Sequence, residues 1–334
     1  MWKLIANVQK HLTYAIPLMM FAGFAFGWFY DAGFLKSLIM PLTVMMVYPM
    51  MINLKLSKVF EKGDAKAQLF ALGINFLILP FGAFVAGLVF FGTDKPYMLL
   101  GLLLAGLVPT SGMTISWTGF AKGNVEAAVK MTVAGLAVGS ALTPFYVKFL
   151  MGTAIEINVF QVFSQIILIV FVPMLGGFFT RKFLVKRYGI TKYSSDLAPK
   201  FPALSTIGVV GIVFVAMALK AKSIGSSPEI ILYILMPVSI IYFVNFLFST
   251  IVARLFLNRG DGIALVYGTV MRNLSIALAI AVNAFGSEGS TAALVVAAAY
   301  IVQVQSAAWY VKFTPYIFGE KKILKSGEKK ISAA

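Results

Sequence analysis

Long apolar runs, separated by short polar breaks or breaks containing glycine and proline, recur from one end of the 334-residue chain to the other. A membrane-spanning helix needs about 20 mostly apolar residues, and the runs approach or exceed this length. The predicted spans are 12–30, 35–53, 67–91, 97–120, 125–150, 158–180, 203–220, 229–254, 262–285 and 290–314. The pattern therefore predicts an all-α polytopic membrane protein with ten transmembrane helices.

Charge along the chain predicts the orientation of these spans. Only 12% of the residues are charged and the mean hydropathy is +0.90, yet the formal net charge is +16. The segments on the side of both termini hold 21 Lys and Arg residues, whereas the opposite loops hold five. By the positive-inside rule both termini are cytoplasmic, in an integral protein of the cytoplasmic membrane. The basic loop 181–200 and tail are predicted to meet anionic lipid, and no nucleic acid is expected as a partner.

The composition also limits the chemistry. The chain has no cysteine and one histidine, and every carboxylate falls in a loop or at the end of a span. Disulfides, thiolate metal sites and cysteine nucleophiles are excluded, and an intramembrane enzyme is disfavoured. We expect no enzyme, no bound metal and no cofactor.

Short similarities between the two halves predict an internal repeat. "IPLMMFAGF" at 16–24 resembles "VPMLGGFF" at 172–179, "NFL" recurs at 75 and 245, and "YVKF" recurs at 146 and 310. Each pair falls at the same place in a half of five spans. Because five is odd, the halves 1–154 and 155–318 would have inverted topology, as in many secondary transporters, with 319–334 as a cytoplasmic tail.

The fourth and ninth spans are predicted to be broken near the middle of the membrane. "LVPTSGMTISW" at 107–117 contains a proline, a glycine and several hydroxyls, and "YGTVMRNLS" at 267–275 holds the equivalent place. If the two broken helices cross, Thr114 lies close to Arg272 and Asn273. Backbone groups that the breaks leave without helical partners can coordinate a solute at such a crossing.

Arg272 is the most unusual residue of this pattern. It lies about 15 Å into its span, where a charge costs about 2.5 to 3.5 kcal/mol or more unless its surroundings are polar. One interpretation is that the guanidinium caps carbonyl groups of the broken fourth span. The other is that it also contacts an anionic substrate or permits proton coupling, and the two interpretations are compatible.

Other polar residues within the spans complete the predicted substrate or ion site. A hydroxyl can instead bond a backbone carbonyl one turn earlier, and an amide or a glutamine can instead join two helices. The predicted site comprises Asn75, Thr110, Ser111, Thr114, Ser116, Lys130, Thr132, Asn245, Arg272, Asn273, Ser275 and Gln303.

Three segments carry a resemblance to a known family. "VMMVYPMMINLKLSKV" at 44–59, "PTSGMTISWTGFAKGN" at 109–124 and "RNLSIALAIAV" at 272–282 resemble motifs of the bile acid:sodium symporter superfamily. Within it, they are most similar to the arsenical-resistance permeases. The resemblance implies a panel domain (first, second, sixth and seventh spans), a core domain (the other six) with two crossing broken helices, and alternating access driven by an ion gradient.

Departures from the family pattern change the expected chemistry. Thr110 stands for the permease cysteine and Ser275 for the permease glutamate, so the soft ligand suited to arsenite and the carboxylate proton carrier are missing. In the symporter pattern, Arg272 replaces a glutamine and Gly268 a glutamate, which disfavours two-sodium coupling. Lys130 either snorkels or pairs with Glu126, or its ammonium occupies a former sodium site beside Thr114 and Thr132.

The sequence thus predicts a secondary transporter that moves a small anion or oxyanion by alternating access. The coupling ion, Na+ or H+, stays open, as do the direction of transport and the oligomeric state. One alternative is an arsenite efflux permease. An alternative of another class is a channel or a non-transporting sensor built on a carrier fold.

Overall fold

Helices form along each long apolar run in the computed structural model, which describes residues 11–53, 63–108, 110–153, 155, 159–226, 229–286 and 288–319. Within these residues the chain has no strand. The helices are α1 (Leu12–Phe29), α2 (Ile39–Ile52), α3 (Ala65–Phe91), α4 (Pro96–Leu107), α5 (Met113–Phe120), α6 (Val125–Met151), α7 (Val159–Ile166, a π-helical turn Ile167–Phe171, and Val172–Tyr188), α8 (Lys200–Ser226), α9 (Ile230–Phe256), α10 (Arg259–Val270), α11 (Leu274–Ala284) and α12 (Gly289–Phe318).

Eight stretches of the described chain are long and apolar enough to cross a membrane. They contain α2, α3, α6, α7, α8, α9, the pair α10 and α11, and α12. The remaining predicted spans correspond to α1 and to the pair α4 and α5; α1 and α4 are apolar but shorter. The chain is therefore an all-helical integral membrane protein, and the count of ten spans stays a prediction.

The segment that follows the sixth predicted span is helical where we expected a loop. The apolar run ends near residue 180, but α7 continues to Tyr188 and carries Lys186 and Arg187 in its last turn. Lysine and arginine favour helices and interact well with a helix C-terminus. The helix ends at Gly189, whose positive φ of 79° suits a residue without a side chain. The chain is helical again over Ile190–Lys192 and forms a π-helical turn over Tyr193–Leu197. The prediction of a loop over 181–200 was therefore wrong for 181–188 and for 190–197.

One group of helices packs tightly around α8. This helix runs along α1 and α2, and α7 packs on α2. Backbones approach closely at two glycines: a Cβ on Gly27 would lie 2.0 Å from the carbonyl oxygen of Ala218, and one on Gly208 would lie 2.4 Å from the nitrogen of Met46. These contacts leave no room for a larger residue, so α1 and α2 are held against α8 as one layer.

The second group surrounds α10 and α11. α12 packs on α4, α9 and α11, and α10 packs on α9, α3, α5 and α6. Every residue from 262 to 282 is buried. A break in such a helix exposes backbone groups to protein rather than to water, so those groups need partners from neighbouring helices.

Candidate functional site

The two helix breaks meet in the interior of the second group. α4 ends at Leu107 and α5 begins at Met113, while α10 ends at Val270 and α11 begins at Leu274. Both interruptions fall within the stretches that the sequence predicts. The backbone nitrogen of Ser111 donates to the carbonyl oxygen of Met271 at 2.9 Å, so the breaks touch directly.

Different residues cause the two breaks. In the first, Pro109 lacks a backbone N–H and disfavours helical geometry in the residue before it, and Val108 is extended with ψ 111°. The second break contains no proline or glycine. There the side chain of Asn273 caps α11 by accepting from the nitrogen of Ile276 at 3.2 Å.

Gln303 of α12 supplies the partners that the second break lacks. Its Oε1 accepts from the backbone nitrogen of Arg272 at 2.8 Å, and its Nε2 donates to the Arg272 carbonyl at 3.2 Å. The same Oε1 accepts from the hydroxyl of Tyr242 at 2.7 Å. The Arg272 nitrogen also donates to the Val270 carbonyl at 2.9 Å, so the Gln303 amide adds a second acceptor there and supplies the donor for the Arg272 carbonyl.

The guanidinium of Arg272 binds oxygen atoms from three segments of the second group. It donates to Asn75 Oδ1 of α3, to the Gly106 carbonyl of α4 at 2.5 Å, and to the Thr269 carbonyl of α10 at 3.3 Å. The residue is 2% exposed, and its Nε has no hydrogen-bond partner among the described residues. It forms no ion pair with any carboxylate in the described part of the chain.

The position of Gly106 explains why its carbonyl binds a cation. The last carbonyl groups of a helix have no partner within it and carry the negative end of its dipole. Gly106 is the penultimate residue of α4, so its oxygen points out of the helix toward the break. The guanidinium of Arg272 is therefore bound by neutral backbone and amide oxygens. Because these partners carry no net charge, the crossing of the two breaks keeps a net positive charge.

The two interior asparagines of the "NFL" segments bind successive carbonyls at the end of α10. Asn75 Nδ2 donates to the Gly268 carbonyl at 3.1 Å, and Asn245 Nδ2 donates to the Thr269 carbonyl at 3.0 Å. Ser249 extends this network through Asn245 Oδ1 at 3.1 Å and the Thr269 hydroxyl at 2.7 Å. Asparagines from α3 and α9 therefore fix the end of the same broken helix.

The threonines of the predicted site bond backbone carbonyls. Thr110 donates to Met131 at 3.2 Å and Thr132 to Ala128 at 2.8 Å. The Thr114 hydroxyl lies 3.3 Å and 3.4 Å from the carbonyls of Tyr267 and Met271, which joins the start of α5 to the end of α10.

The three serines of the predicted site, Ser111, Ser116 and Ser275, occupy different surroundings. Ser111 Oγ accepts from the Met113 nitrogen at 3.1 Å, and Ser275 shares a hydrogen bond with the Tyr300 hydroxyl, which sequence reasoning missed. Ser116 is exposed and lies apart from the buried network.

One side of α5 is exposed. Its exposed positions, counted from the break, are Gly112, Ser116, Gly119 and Phe120. They recur at the spacing of one helical face. A Cβ on Gly112 would meet no atom within 4 Å. An exposed surface of two glycines and a serine, ending at Phe120, therefore begins directly at the crossing.

Lys130 lies beside two carboxylates at one end of the second helix group, the one that surrounds α10 and α11. Its Nζ is 3.4 Å from Asp64 Oδ2 and 3.9 Å from Glu126 Oε1, and its side chain is 4% exposed. Asn124 joins this cluster by donating to Asp64 at 3.1 Å and to Asp261 at 2.7 Å. The pairing with Glu126 agrees with one interpretation of the sequence, but Asp64 was missed because nothing in a loop aspartate 66 positions away indicates it.

A small cavity of about 10 Å³ adjoins Arg272. Its lining includes Gly106, Tyr242, Asn245 and Arg272. A cavity of this size holds about one water molecule. In this conformation there is thus no room here for a solute beside the guanidinium.

Paired breaks in buried helices, crossing around a cation, define a polytopic membrane protein of the transporter class. The chain belongs to the sodium bile acid symporter family, because residues 40–227 match the model of that family. The resemblance inferred from the motifs is thereby confirmed.

Individual relatives share about a quarter of the residues. The chain is 26% identical over 216 residues to the arsenical-resistance protein Acr3 of Alkaliphilus metalliredigens, a match covering 61% of this chain and 60% of that protein. It is 23% identical over 304 residues to Acr3 of Corynebacterium glutamicum, covering 83% and 82%. An uncharacterized protein of Bacillus subtilis, YbaS, is 26% identical over 223 residues, covering 66% of this chain and 71% of YbaS.

Proposed function

We propose that the protein is a secondary carrier that moves a small anionic solute across the cytoplasmic membrane by alternating access. The observation that carries the proposal is Arg272, a buried cation without a carboxylate partner among the described residues, at the crossing of two helix breaks. Such a centre favours anions over cations. Membership of a transporter family supports transport itself.

The proposed architecture has ten spans in two inverted repeats, with a panel and a core domain. The tight packing of α8 with α1 and α2, and of α7 on α2, supports a panel of the first, second, sixth and seventh spans. The equivalent bonds of Asn75 and Asn245, from the third and eighth spans, support the repeat. The distribution of Lys and Arg supports cytoplasmic termini.

Arg272 would act as a fixed cation in place of a sodium ion. Its partners are carbonyl and amide oxygens, the ligands that hard cations prefer. They come from α3, α4 and α10, which all lie in the proposed core, and the adjoining cavity holds only about one water. We infer that Arg272 positions the two broken helices and supplies a positive field, while the solute meets the exposed side of α5.

Two polar contacts suggest which conformation the structure represents. Thr43 accepts from Asn283 Nδ2 at 3.2 Å, and Lys220 pairs with Glu288 at 3.6 Å. Both join the proposed panel to the proposed core at the end that the charge count assigns to the outside. The exposed side of α5 lies toward the opposite end. We therefore propose a carrier closed to the outside and open to the cytoplasm.

Transport assays in proteoliposomes would test the proposal once a solute is found. Binding to the folded state raises apparent stability, so a thermal screen against anions, across pH and with or without sodium, identifies candidates. Arg272→Ala should abolish uptake of the solute, and unchanged uptake would remove Arg272 from the mechanism. Single-channel currents in a bilayer would instead favour the channel alternative.

Arsenite efflux is the second candidate, favoured by the names of the two Acr3 relatives. The absence of cysteine from the sequence weighs against it, because trivalent arsenic favours thiolates. Expression in an arsenite-sensitive cell would decide. Resistance that depends on the protein would support this candidate, and normal membrane insertion without resistance would contradict it.

A further inference from the structure

A second, larger cavity of about 480 Å³ lies between the two helix groups at the end where Lys220 meets Glu288. One wall comes from the end of α1, the 3-10 helix Gly33–Leu38 that follows it, the start of α2 and the end of α8. The other wall comes from the end of α11 and the start of α12. Its charged lining residues are Asp31, Lys36, Lys220, Lys222 and Glu288.

Some charged groups of this cavity have a hydrogen-bond or ion-pair partner, and others form no ion pair with a described residue. Asp31 Oδ1 accepts from the backbone nitrogen of Gly33 at 3.0 Å, and Glu288 pairs with Lys220 at 3.6 Å. Neither Lys36 nor Lys222 forms an ion pair with a described residue. Three ammonium groups against two carboxylates give the cavity a net positive charge, and a cleft concentrates this field.

The two partners of the Lys220 and Glu288 ion pair differ in exposure. The Glu288 side chain is 55% exposed, whereas the Lys220 side chain is 20% exposed and so lies deeper. An exposed ion pair contributes little stability because water solvates both partners well. An anion entering the cavity could therefore replace Glu288 at Lys220 with little loss. It would also remove one polar contact between the two helix groups.

We propose that this cavity is an anion-binding vestibule, in which a small carboxylate or oxyanion takes the Lys220 ammonium from Glu288. The inference rests on the proposed transport of an anion and deepens it. Lys36 and Lys222 attract the anion, and the exchange at Lys220 loosens the closed end. Binding and opening are then coupled through one lysine.

The absence of cysteine from the chain allows a direct test that needs no knowledge of the solute. Leu219 lines the cavity and is partly buried. In the full-length variant Leu219→Cys, we would measure the rates of reaction with an anionic and a cationic methanethiosulfonate reagent. The anionic reagent should react about threefold faster or more, relative to the same ratio for a free thiol. Inorganic phosphate at constant ionic strength should slow that reaction.

Added Lys36→Gln and Lys222→Gln substitutions should abolish the preference for the anionic reagent. Lys148→Gln is the matched control, because Lys148 is exposed near the same end but does not line the cavity. A preference that survives neutralisation of Lys36 and Lys222, or one that Lys148→Gln lowers equally, would overturn the proposal. Failure of solute transport would leave these rates unchanged, so the two proposals fail separately.

The exchange at Lys220 is tested by two substitutions that add the same charge. Glu288→Gln frees Lys220 and should tighten phosphate protection by about two- to fivefold. Asp31→Asn changes the charge equally without freeing an ammonium, and should have the smaller effect. Equal effects of the two substitutions would contradict the competition between the anion and Glu288.

Discussion

The guanidinium of Arg272 lies 2.5 Å from the carbonyl oxygen of Gly106, so a side chain from one helix break closes the end of the other broken helix. Gly106 is near the C-terminus of α4, where a helix presents free carbonyls and partial negative charge. The contact joins the two broken helices through a charge that cannot dissociate.

Replacement of Arg272 by glutamine should make stability depend on sodium. Glutamine is the residue of the symporter pattern at this position, and Asn75, Gly106 and Thr269 would still offer three oxygens. Saturating sodium should stabilise Arg272→Gln by about 1 to 3 kcal/mol. Thermal unfolding in sodium chloride and in choline chloride would measure this.

The parent protein is the control for that experiment. It should show the same melting temperature in both salts, because its cation is covalently attached. A sodium-specific rise in the parent protein would contradict the assignment of Arg272 as a substitute for the ion.

Loss of the Gln303 amide should destabilise the second break. In Gln303→Leu, the backbone N–H and carbonyl of Arg272 and the Tyr242 hydroxyl each lose a partner. The Arg272 nitrogen keeps a hydrogen bond to the Val270 carbonyl at 2.9 Å, so two buried groups lose their partner. Unpaired buried groups cost about 1 to 3 kcal/mol each, so we expect the free energy of unfolding to fall by about 2 to 6 kcal/mol. Gln305→Leu is the matched control, because Gln305 lies on the same helix but is exposed. Equal melting temperatures for the two variants would refute the role of Gln303.

Asn75→Ala should cost more stability than Asn245→Ala. Each asparagine bonds one carbonyl of α10, but Asn75 also accepts from a guanidinium, whereas Asn245 accepts from a neutral hydroxyl. Hydrogen bonds to charged groups are worth about 1.5 to 3 kcal/mol and neutral ones about 1 kcal/mol. We therefore expect Asn75→Ala to be the less stable variant by about 1 kcal/mol. Chemical unfolding of both variants measures the difference, and the reverse order would contradict it.

The ion pair of Lys130 with Asp64 should contribute more to stability than its ion pair with Glu126. Asp64 is nearer to the ammonium and is 17% exposed, whereas Glu126 is 54% exposed. Asp64→Asn removes a charge-assisted hydrogen bond and should lower the free energy of unfolding by about 1.5 to 3 kcal/mol. Glu126→Gln should lower it by less than about 0.5 kcal/mol. In 1 M salt, interactions between exposed charges are screened beyond about 3 Å, so only the Asp64 effect should persist. Equal losses of unfolding free energy in Asp64→Asn and Glu126→Gln would contradict the prediction that the more buried carboxylate is the stronger partner of Lys130.

Sequence reasoning located the helix breaks because their signals are local. Proline alone does not mark a break, because Pro144 and Pro237 stand inside helices that continue through them. Pro109 is followed by hydroxyls and a glycine, and Arg272 with Asn273 interrupts a long apolar run, so both breaks have a polar signal as well. The end of α7 was missed because apolar length was used to mark the helix end, and a basic segment stays helical beyond that point. The capping glycine at 189 was the available signal.

The partners of the site residues could not be predicted, because they depend on how distant helices face one another. Asp64 and Lys130 are 66 positions apart, and Arg272 and Gln303 are 31 apart. Gln303 was among the predicted site residues, but no spacing rule indicates that its amide completes the break. The hydroxyls of Thr110 and Thr132 bond backbone carbonyls. From the sequence alone, this role could not be distinguished from contact with a solute.

A tethered charge changes the energetics of the proposed cycle. A sodium ion that enters with a solute leaves with it, and its gradient does work on each turn. Arg272 returns with the protein, so only the charge of the solute crosses the membrane. Each such charge contributes about 2.3 kcal/mol per 100 mV. With a negative cell interior, the membrane potential itself would drive anions outward, and the protein would favour export without a coupling ion.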